Sequence, residues 1–269
     1  MALRRLPDVR RRGPGMNLFD THAHYDDSRF DPDRDMILAS LPRTGISLAL
    51  CPGCNLRSSR AAVALAERYP FLYAAVGVHP HDARDMSQDD VSEIAKLANC
   101  QKVKAIGEIG LDYHYDFSPK DAQIFSFRSQ LELAQSLDLP VIIHDREAHE
   151  DTLRVVRDFP NVRGVFHCYS GSLETAKLLV RQGYYLSFAG VVTYKNARRA
   201  LEVAAWLPTE RLLIETDAPY LTPEPHRHHR NDSTYLRFTC EKLAAVRGCS
   251  AEELAGQTTR NGKALFEIE

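Results

Sequence analysis

Two histidines separated by one residue follow the first apolar run of the chain, in the segment Asp20-Thr21-His22-Ala23-His24. Side chains alternate between the two faces of a β-strand, so this spacing predicts that His22 and His24 point the same way. Two neighbouring imidazoles can bind one divalent ion. A His-X-His pair is weak evidence by itself, and it predicts a metal site only if further ligands converge on it.

Four further residues of ligand type, two histidines and two acids, end later apolar runs. They are Glu108, His144, His167 and Asp217. If these runs are parallel strands of one barrel, their carboxyl ends meet at one face and six side chains converge there. Imidazoles and carboxylates packed together without a cation would suffer desolvation and charge repulsion. The set therefore predicts a metal centre.

The number of ligands favours two divalent ions over one ion with an open position. We expect Glu108 to bridge the two ions, with separate ligands completing each site. One site is predicted to hold His22, His24 and Asp217, and the other His144 and His167. A mixed set of nitrogen and oxygen ligands suits zinc, manganese or another first-row ion, whereas magnesium would retain more waters. The pattern does not choose among Zn, Mn and Mg.

Two ions close together lower the pKa of a bound water and stabilise charge on the attacking and leaving oxygens. We expect Glu108 and Asp217 to serve catalysis, Glu108 as the bridge and Asp217 by holding or deprotonating that water. Glu215 lies two residues before Asp217 and so shares its strand face. It is predicted either to support a liganding imidazole or to form a buried ion pair inside the barrel.

Eight short apolar runs alternate with longer amphipathic runs, and these are the elements that must position the site. Near-continuous apolar runs are typical of parallel strands buried on both faces. The predicted strands are Leu18–His22, Ile46–Cys51, Leu72–Val78, Lys104–Ile109, Val141–His144, Arg163–His167, Tyr184–Phe188 and Leu212–Thr216. Eight strand–helix units predict an α/β fold, a single (β/α)8 TIM barrel over residues 16–269. An open doubly wound sheet is the alternative.

Capping residues predict where several of the intervening helices begin. Asp31-Pro32 and Ser118-Pro119 each offer an N-cap followed by a proline at the first helical position. Ser87 followed by Asp90 resembles a capping box with a shortened acid. A further helix is predicted to begin near Ser172 and to end at Gly183.

The first fifteen residues differ in composition from the rest of the chain. They carry five arginines against a single acid, Asp8, and end in Gly-Pro-Gly without an apolar segment of the kind found in secretory signals. We interpret residues 1–15 as a disordered basic extension, or as sequence upstream of a native start at Met16.

Composition limits the partners and the compartment that we expect. No apolar run approaches the roughly 20 residues of a membrane helix. The net charge is −2 with 11 histidines counted neutral, so a phosphate-rich partner would have to meet local arginines or metal ions. The six cysteines suggest reduced thiols in a cytoplasmic protein, and we interpret Cys51-Pro52-Gly53-Cys54 as a coincidental loop pair. We expect a monomer without membrane association or an obligate protein partner.

Six motifs occur in order along the chain. They are Phe19-Asp-Thr-His-Ala-His24, Gly77-Val-His-Pro-His81, Gly107-Glu-Ile-Gly-Leu-Asp-Tyr113, Ile143-His144, Phe166-His-Cys-Tyr-Ser-Gly171 and Glu215-Thr-Asp-Ala-Pro-Tyr-Leu221. Together they resemble the TatD family of metal-dependent deoxyribonucleases, in the amidohydrolase superfamily. The resemblance runs from about Asn17 to Phe266.

This resemblance implies a TIM barrel with a two-metal centre that hydrolyses phosphodiester bonds in DNA from an end of the strand. The ligands of the family fall on the six positions already reached from the strand ends. One segment departs from the family pattern, in which an Arg-Asn-Glu-Pro motif follows Glu-Thr-Asp-Ala-Pro. Here the segment reads Arg230-Asn231-Asp232-Ser233, so the arginine and asparagine of the motif are kept and its last two residues differ.

Polar and aromatic residues near other strand ends are candidates for contact with a substrate. His79 and His81 follow the third strand and Lys195 the seventh, and these three with Arg230 either contact a substrate phosphate or belong to the surface. The segment Tyr113-His114-Tyr115 could offer stacking surfaces for unpaired bases.

The leading functional hypothesis is an exonuclease on DNA, in which a metal-bound hydroxide attacks phosphorus and releases nucleotides from the 3′ end. The first alternative keeps the metal centre but hydrolyses an ester, lactone, amide or aminoacyl-tRNA bond. A phosphodiester substrate would favour cations at Lys195 and Arg230, whereas an acyl substrate would favour a closed apolar pocket. The second alternative is a non-catalytic barrel that serves as a scaffold.

Overall fold

Eight strands form a single parallel sheet in which each strand pairs with the next one along the chain. The computed structural model describes residues 16–115 and 117–269. Its strands are β1 (Leu18–Asp20), β2 (Ile46–Pro52), β3 (Leu72–Val76), β4 (Val103–Asp112), β5 (Val141–Arg146), β6 (Gly164–Phe166), β7 (Tyr185–Phe188) and β8 (Leu212–Ile214). The basic extension predicted over residues 1–15 lies outside the described residues.

The first and last strands approach each other and nearly close the sheet into a barrel. Thr21 N–H donates to the Ile214 carbonyl at 3.3 Å, and Asp217 N–H donates to the His22 carbonyl at 2.9 Å. This sequential strand order has no point at which it reverses, as a doubly wound sheet would. The TIM-barrel prediction is therefore confirmed, and the open-sheet alternative is wrong.

The inside of the barrel is filled by one side chain from each of seven strands. These are Phe19, Leu50, Ala75, Ala105, Ile142, Val165 and Leu213. Three of them, Ile142, Val165 and Leu213, lie two residues before His144, His167 and Glu215. The alternation of side chains along a strand therefore carries the polar residues to the same inner face, one layer nearer the barrel mouth.

Nine helices of the described residues surround the sheet and bury the apolar residues on its outer face. They are α1 (Arg34–Ser40), α2 (Leu56–Arg68), α3 (Gln88–Ala98), α4 (Lys120–Leu137), α5 (His149–Arg157), α6 (Leu173–Arg181), α7 (Arg198–Trp206), α8 (Leu236–Arg247) and α9 (Ala251–Phe266). Among the described residues, none of these helices combines the length and apolar character needed to span a membrane.

The capping predictions are correct at α3 and α6 and wrong at α1 and α4. Ser87 and Asp90 form a reciprocal capping box, and Ser172 accepts from Thr175 N–H at the start of α6. Helix α1 begins at Arg34, after Asp33 instead of Asp31. The Ser118 hydroxyl does not cap α4, because it donates to the His81 carbonyl.

Strand β4 is longer than predicted and extends to Asp112, because its last residues continue to pair with β5. Gly110 makes this extension possible. A Cβ atom on Gly110 would lie 2.0 Å from the His144 carbonyl oxygen, so only glycine allows so close an approach. The extension places Asp112 on the inner face with Glu108, next to His144.

Candidate metal centre

The six residues expected to bind metal come together at one end of the barrel, and we call them the candidate metal centre. They are His22, His24, Glu108, His144, His167 and Asp217. Four different strand ends and the segment after β1 contribute to this cluster. Most of these side chains are buried, and only those of His144 and Asp217 retain some contact with solvent.

Glu108 lies between two groups of imidazoles, and each of its carboxylate oxygens faces a different group. Its Oε2 is 3.2 Å from His22 Nε2 and 3.5 Å from His24 Nε2. Its Oε1 is 2.9 Å from both His144 Nδ1 and His167 Nε2. Each oxygen of Glu108 would therefore be available to a separate cation.

Asp217 completes the group on the first side. Its Oδ1 lies 3.7 Å from His22 Nε2 and 3.6 Å from His24 Nε2. The backbone of Asp217 is in the left-handed region, with φ 56°. Non-glycine residues adopt this conformation at a cost, and such strain clusters at functional sites.

In three of the imidazoles, the ring nitrogen that points away from Glu108 donates a hydrogen bond to an oxygen of the protein. His24 Nδ1 donates to the Pro52 carbonyl at 3.2 Å. His144 Nε2 donates to Asp112 Oδ2 at 2.9 Å, and His167 Nδ1 donates to Glu215 Oε1 at 3.3 Å. Such outer partners fix the tautomer of a liganding histidine and leave its other nitrogen bare. Glu215 therefore lies where the first of its two predicted interpretations places it, against an imidazole.

The ring nitrogens that face Glu108 are spaced as ligands of divalent ions. His22 Nε2 and His24 Nε2 are 3.1 Å apart, and His144 Nδ1 and His167 Nε2 are 3.2 Å apart. Bare lone pairs at this separation repel each other unless a cation lies between them. Nitrogen donors combined with the carboxylates of Glu108 and Asp217 suit first-row divalent ions. The donor sets on both sides of Glu108 thus fit two metal ions.

The electrostatics of the cluster also favour positive charge. Burial alone would raise the pKa of Glu108, but the surrounding imidazoles of His167, His79, His22 and His144 bring it well below its usual range. Glu108 is therefore an anion in the folded protein. A buried carboxylate needs compensating positive charge, which protonated imidazoles or bound cations can supply.

Two histidines that were predicted to contact substrate lie at different depths. His79 is buried, and its Nε2 is 3.4 Å from Glu108 Oε1. Its Nδ1 accepts from the His81 backbone N–H at 3.1 Å, so Nε2 carries the proton. Burial lowers the pKa of His79 to about 4, which keeps the ring neutral at pH 7. His81 lies farther out and donates to Asp112 at 3.0 Å.

Within the described part of the chain, the other two predicted substrate residues make no hydrogen bond or ion pair with the six ligands. Lys195 is exposed and forms no hydrogen bond or ion pair within residues 16–115 and 117–269. Arg230 donates to both carboxylate oxygens of Asp33, at 2.8 and 2.9 Å, and lies over the ring of Phe30. Arg230 is thus neutralised by Asp33, unlike Lys195, which keeps an unpaired charge.

The segment that departs from the family pattern nevertheless supports the centre. Asn231 is buried, and its amide donates to the carbonyls of Thr216 and Tyr220 at 2.9 and 2.6 Å. These two bonds hold the backbone on both sides of Asp217. Ser233 donates to Asp20 Oδ2 at 2.6 Å, which joins the same segment to the end of β1.

Asp112 is a site residue that the sequence analysis missed. It is fully buried, and its Oδ2 accepts from both His144 and His81. Burial raises the pKa of Asp112, but these hydrogen bonds lower it more, to well below the ordinary value. A signal was available, because Glu108, Gly110 and Asp112 alternate along one strand and must share a face.

The aromatic candidates after β4 separate into buried and exposed residues. The Tyr113 hydroxyl donates to Asp151 at 2.7 Å, and the ring packs against the apolar core. His114 pairs with Glu147 at 2.7 Å. Tyr115 is exposed and stacks on Phe117. Of the three predicted stacking residues, Tyr113 therefore faces the core, whereas His114 and Tyr115 are exposed.

Comparisons with known proteins agree with this geometry. The model of the TatD-related DNase family matches residues 19–267. The chain is 42% identical over 253 residues to the uncharacterized metal-dependent hydrolase YabD of Bacillus subtilis, covering 93% of this chain and 99% of the relative. It is 37% identical over 261 residues to the 3′-5′ ssDNA/RNA exonuclease TatD of Salmonella typhimurium, covering 93% and 99%.

A solved structure shows the same fold. YJJV, a TatD homologue from Escherichia coli K12, superposes with a TM-score of 0.89 at 31% identity and covers 94% of this chain and 99% of that chain. The eight-stranded barrel, the cluster at its mouth and the matched sequence therefore agree. The chain belongs to the TatD-related DNase family of metal-dependent hydrolases, in the amidohydrolase superfamily.

Proposed function

We propose that the chain is a divalent-metal-dependent exonuclease that hydrolyses phosphodiester bonds in DNA from the 3′ end of a single strand. The observation that carries the proposal is the position of Glu108 between two groups of imidazoles. Its two carboxylate oxygens face separate groups of nitrogen donors at 2.9 to 3.5 Å. A centre that holds two cations suits displacement at phosphorus, because attacking and leaving oxygens can both be stabilised. The 3′-5′ ssDNA/RNA exonuclease TatD of Salmonella typhimurium, at 37% identity, supports the choice of substrate.

The two groups of ligands would hold one ion each, with Glu108 shared. When bound, such ions supply Lewis-acid polarisation of the phosphoryl oxygens and lower the pKa of a water. Of the two proposed carboxylate ligands, Asp217 is the one whose side chain keeps some contact with solvent. It would hold a water by hydrogen bonding and accept its proton.

His79 would act on the substrate. Its ring is neutral, and its Nε2–H points at Glu108 Oε1, at the edge of the cluster. A neutral donor can bind a phosphoryl oxygen without repelling the nearby cations. Donors aimed at developing negative charge are strong contributors to catalysis.

The function is tested with single-stranded oligodeoxynucleotides labelled at either end and assayed with Mg²⁺, Mn²⁺, Zn²⁺ or Co²⁺. We expect a 5′ label to appear in progressively shorter products, whereas a label on the 3′ nucleotide is released at once. RNA and aryl ester substrates are assayed in parallel, with Glu108→Gln protein as the control for contaminating nucleases. Turnover of the esters alone would contradict the proposal and support the acyl-hydrolase alternative.

Replacing His79 by alanine should lower kcat by about 10²-fold, the effect of losing one donor to the transition state. Metal content should remain at the wild-type value, because His79 is not one of the six proposed ligands. Metal analysis and steady-state kinetics on the same preparation check both expectations. A fall in metal content would instead identify His79 as a ligand, as its distance of 3.4 Å from Glu108 would permit.

A further inference from the structure

Two exposed aromatic rings lie together in the segment that follows β4, and we call Tyr115 and Phe117 the aromatic pair. Tyr115 is 40% exposed and Phe117 is 58% exposed. Their ring centroids are 5.4 Å apart and the ring planes differ by 2°, so the rings are stacked in parallel. Neither ring is needed to fill the core. Exposed apolar surface that is organised in this way indicates a binding site.

The aromatic pair is separated from the candidate metal centre by a single imidazole. The His81 ring stands perpendicular to both rings of the pair, with centroid distances of 5.4 Å to Tyr115 and 4.9 Å to Phe117. His81 Nε2 donates to the Asp112 oxygen that also accepts from His144. Contacts thus run without a gap from the aromatic pair to a proposed metal ligand.

Positive charge lies beside the pair. The guanidinium of Arg146 is 4.7 Å from the centre of the Tyr115 ring. Farther from the pair, the ammonium of Lys120 lies 4.0 Å from the centre of the Tyr113 ring. Both side chains are exposed, and neither has a carboxylate partner within residues 16–115 and 117–269. A ligand at this place would therefore meet flat apolar surface and the guanidinium of Arg146 together.

Unpaired nucleobases with their phosphates have this combination of properties. Every base offers a flat face that stacks on an aromatic ring, and the linking phosphates are attracted to the neighbouring cations. Bases inside a duplex already stack on their neighbours and cannot reach such a ring. Two rings are also too small an area for a stable protein interface, which buries about 800 Å² per partner.

We propose that the aromatic pair is a stacking platform for an unpaired nucleobase next to the scissile phosphodiester, and that it directs the enzyme to single strands. This inference rests on the proposed exonuclease function and assigns a subsite to it. Tyr115 and Phe117 contact substrate in this assignment but take no part in bond cleavage. Their loss should therefore weaken substrate binding far more than it slows the chemical step.

The platform is tested with Phe117→Ala and with the double variant Tyr115→Ala/Phe117→Ala. The matched control is Phe125→Ala, because Phe125 is 52% exposed on α4 and its ring does not contact either ring of the pair. The probe is an oligothymidylate with 2-aminopurine at its 3′ end and a terminal methylphosphonate linkage that resists cleavage, measured with Mn²⁺ present. Stacking on an aromatic ring quenches the fluorescence of 2-aminopurine.

We expect quenching with wild type and with Phe125→Ala, and little quenching with the double variant. Affinity should fall about 10- to 100-fold in the double variant. A second probe lacks the terminal bases. Wild type should bind this probe as weakly as the double variant binds the complete probe. Wild type and the double variant should bind the second probe with equal affinity. Thermal unfolding of each variant establishes that the fold is retained.

The outcomes separate the platform from the exonuclease proposal. If wild type cleaves single strands and the double variant binds and cleaves them equally well, the platform is wrong and the exonuclease proposal stands. If wild type quenches the probe but cleaves no oligonucleotide with any ion, the platform stands and the exonuclease proposal is wrong. If wild type neither binds nor cleaves single strands, both are overturned.

Discussion

Replacing Glu108 by glutamine is expected to remove both metal ions and nearly all hydrolysis. Glutamine keeps the size of the side chain, but it has one neutral oxygen and one donor group where Glu108 has two anionic oxygens. The two oxygens of Glu108 face the His22–His24 side and the His144–His167 side separately. One substitution therefore damages both sites at once.

The size of this effect follows from what the ions contribute. Metal ions supply several kcal/mol of transition-state stabilisation, and about 1.4 kcal/mol corresponds to a tenfold change in rate. We therefore expect kcat/KM to fall on the order of 10³-fold or more. Wild-type metal content with a normal rate in Glu108→Gln would contradict the bridging role.

Stability offers a second measurement that does not depend on the substrate. An ion that binds only the folded protein at 100 times its Kd stabilises that protein by about 2.7 kcal/mol. The melting temperature of wild type should therefore rise with added metal, and that of Glu108→Gln should not. Glu93→Gln is the matched control, because Glu93 lies on the surface of α3 and pairs with Arg60 and Lys96. It should respond to metal as wild type does.

The barrel and the convergence of the six ligands could be predicted because both depend on short-range rules. Apolar runs indicate strands buried on two faces, and side-chain alternation fixes which residues share the inner face. His144, His167 and Glu215 each follow a buried inner residue by two positions, and each lies at the barrel mouth. These local patterns on each strand were enough to predict which side chains meet at the barrel mouth.

The partners of these ligands could not be predicted in the same way, because they depend on contacts between distant segments. Arg230 was a candidate either for contact with phosphate or for a surface charge, and it pairs with Asp33, almost 200 positions earlier in the chain. The Pro52 carbonyl that holds His24 carries no signal in its residue type. Asp112 was missed for a different reason, since the predicted strand ended at Ile109 and the pairing with β5 continues to Asp112.

Phe117 shows a further limit of interpretation from residue type. Tyr113, His114 and Tyr115 were adjacent aromatic residues and therefore candidates for stacking, but Tyr113 faces the core and His114 pairs with Glu147. The ring that stacks on Tyr115 belongs to Phe117, two positions later. Exposure of an aromatic ring depends on the path of the loop, which its composition does not specify.

Replacing Asp217 by asparagine should remove one metal ion and leave the other bound. Asp217 contacts only the His22–His24 side, with distances of 3.6 and 3.7 Å to their Nε2 atoms. Glu108, His144 and His167 remain intact in this variant. We therefore expect about one tightly bound ion per chain where wild type holds two, in contrast to the loss of both ions in Glu108→Gln.

Activity should be lost in Asp217→Asn although the fold is kept. Asparagine accepts the left-handed backbone at φ 56° as readily as aspartate does, so the strained turn survives. The anionic oxygen that would accept a proton from water is absent, and we expect kcat to fall about 10³-fold. Asp138→Asn is the matched control, because Asp138 has φ 53° at the exposed end of α4. Metal analysis, melting temperature and kinetics should distinguish Asp217→Asn from Asp138→Asn. Two tightly bound ions with a normal rate in Asp217→Asn would show that Asp217 neither binds metal nor serves as the base.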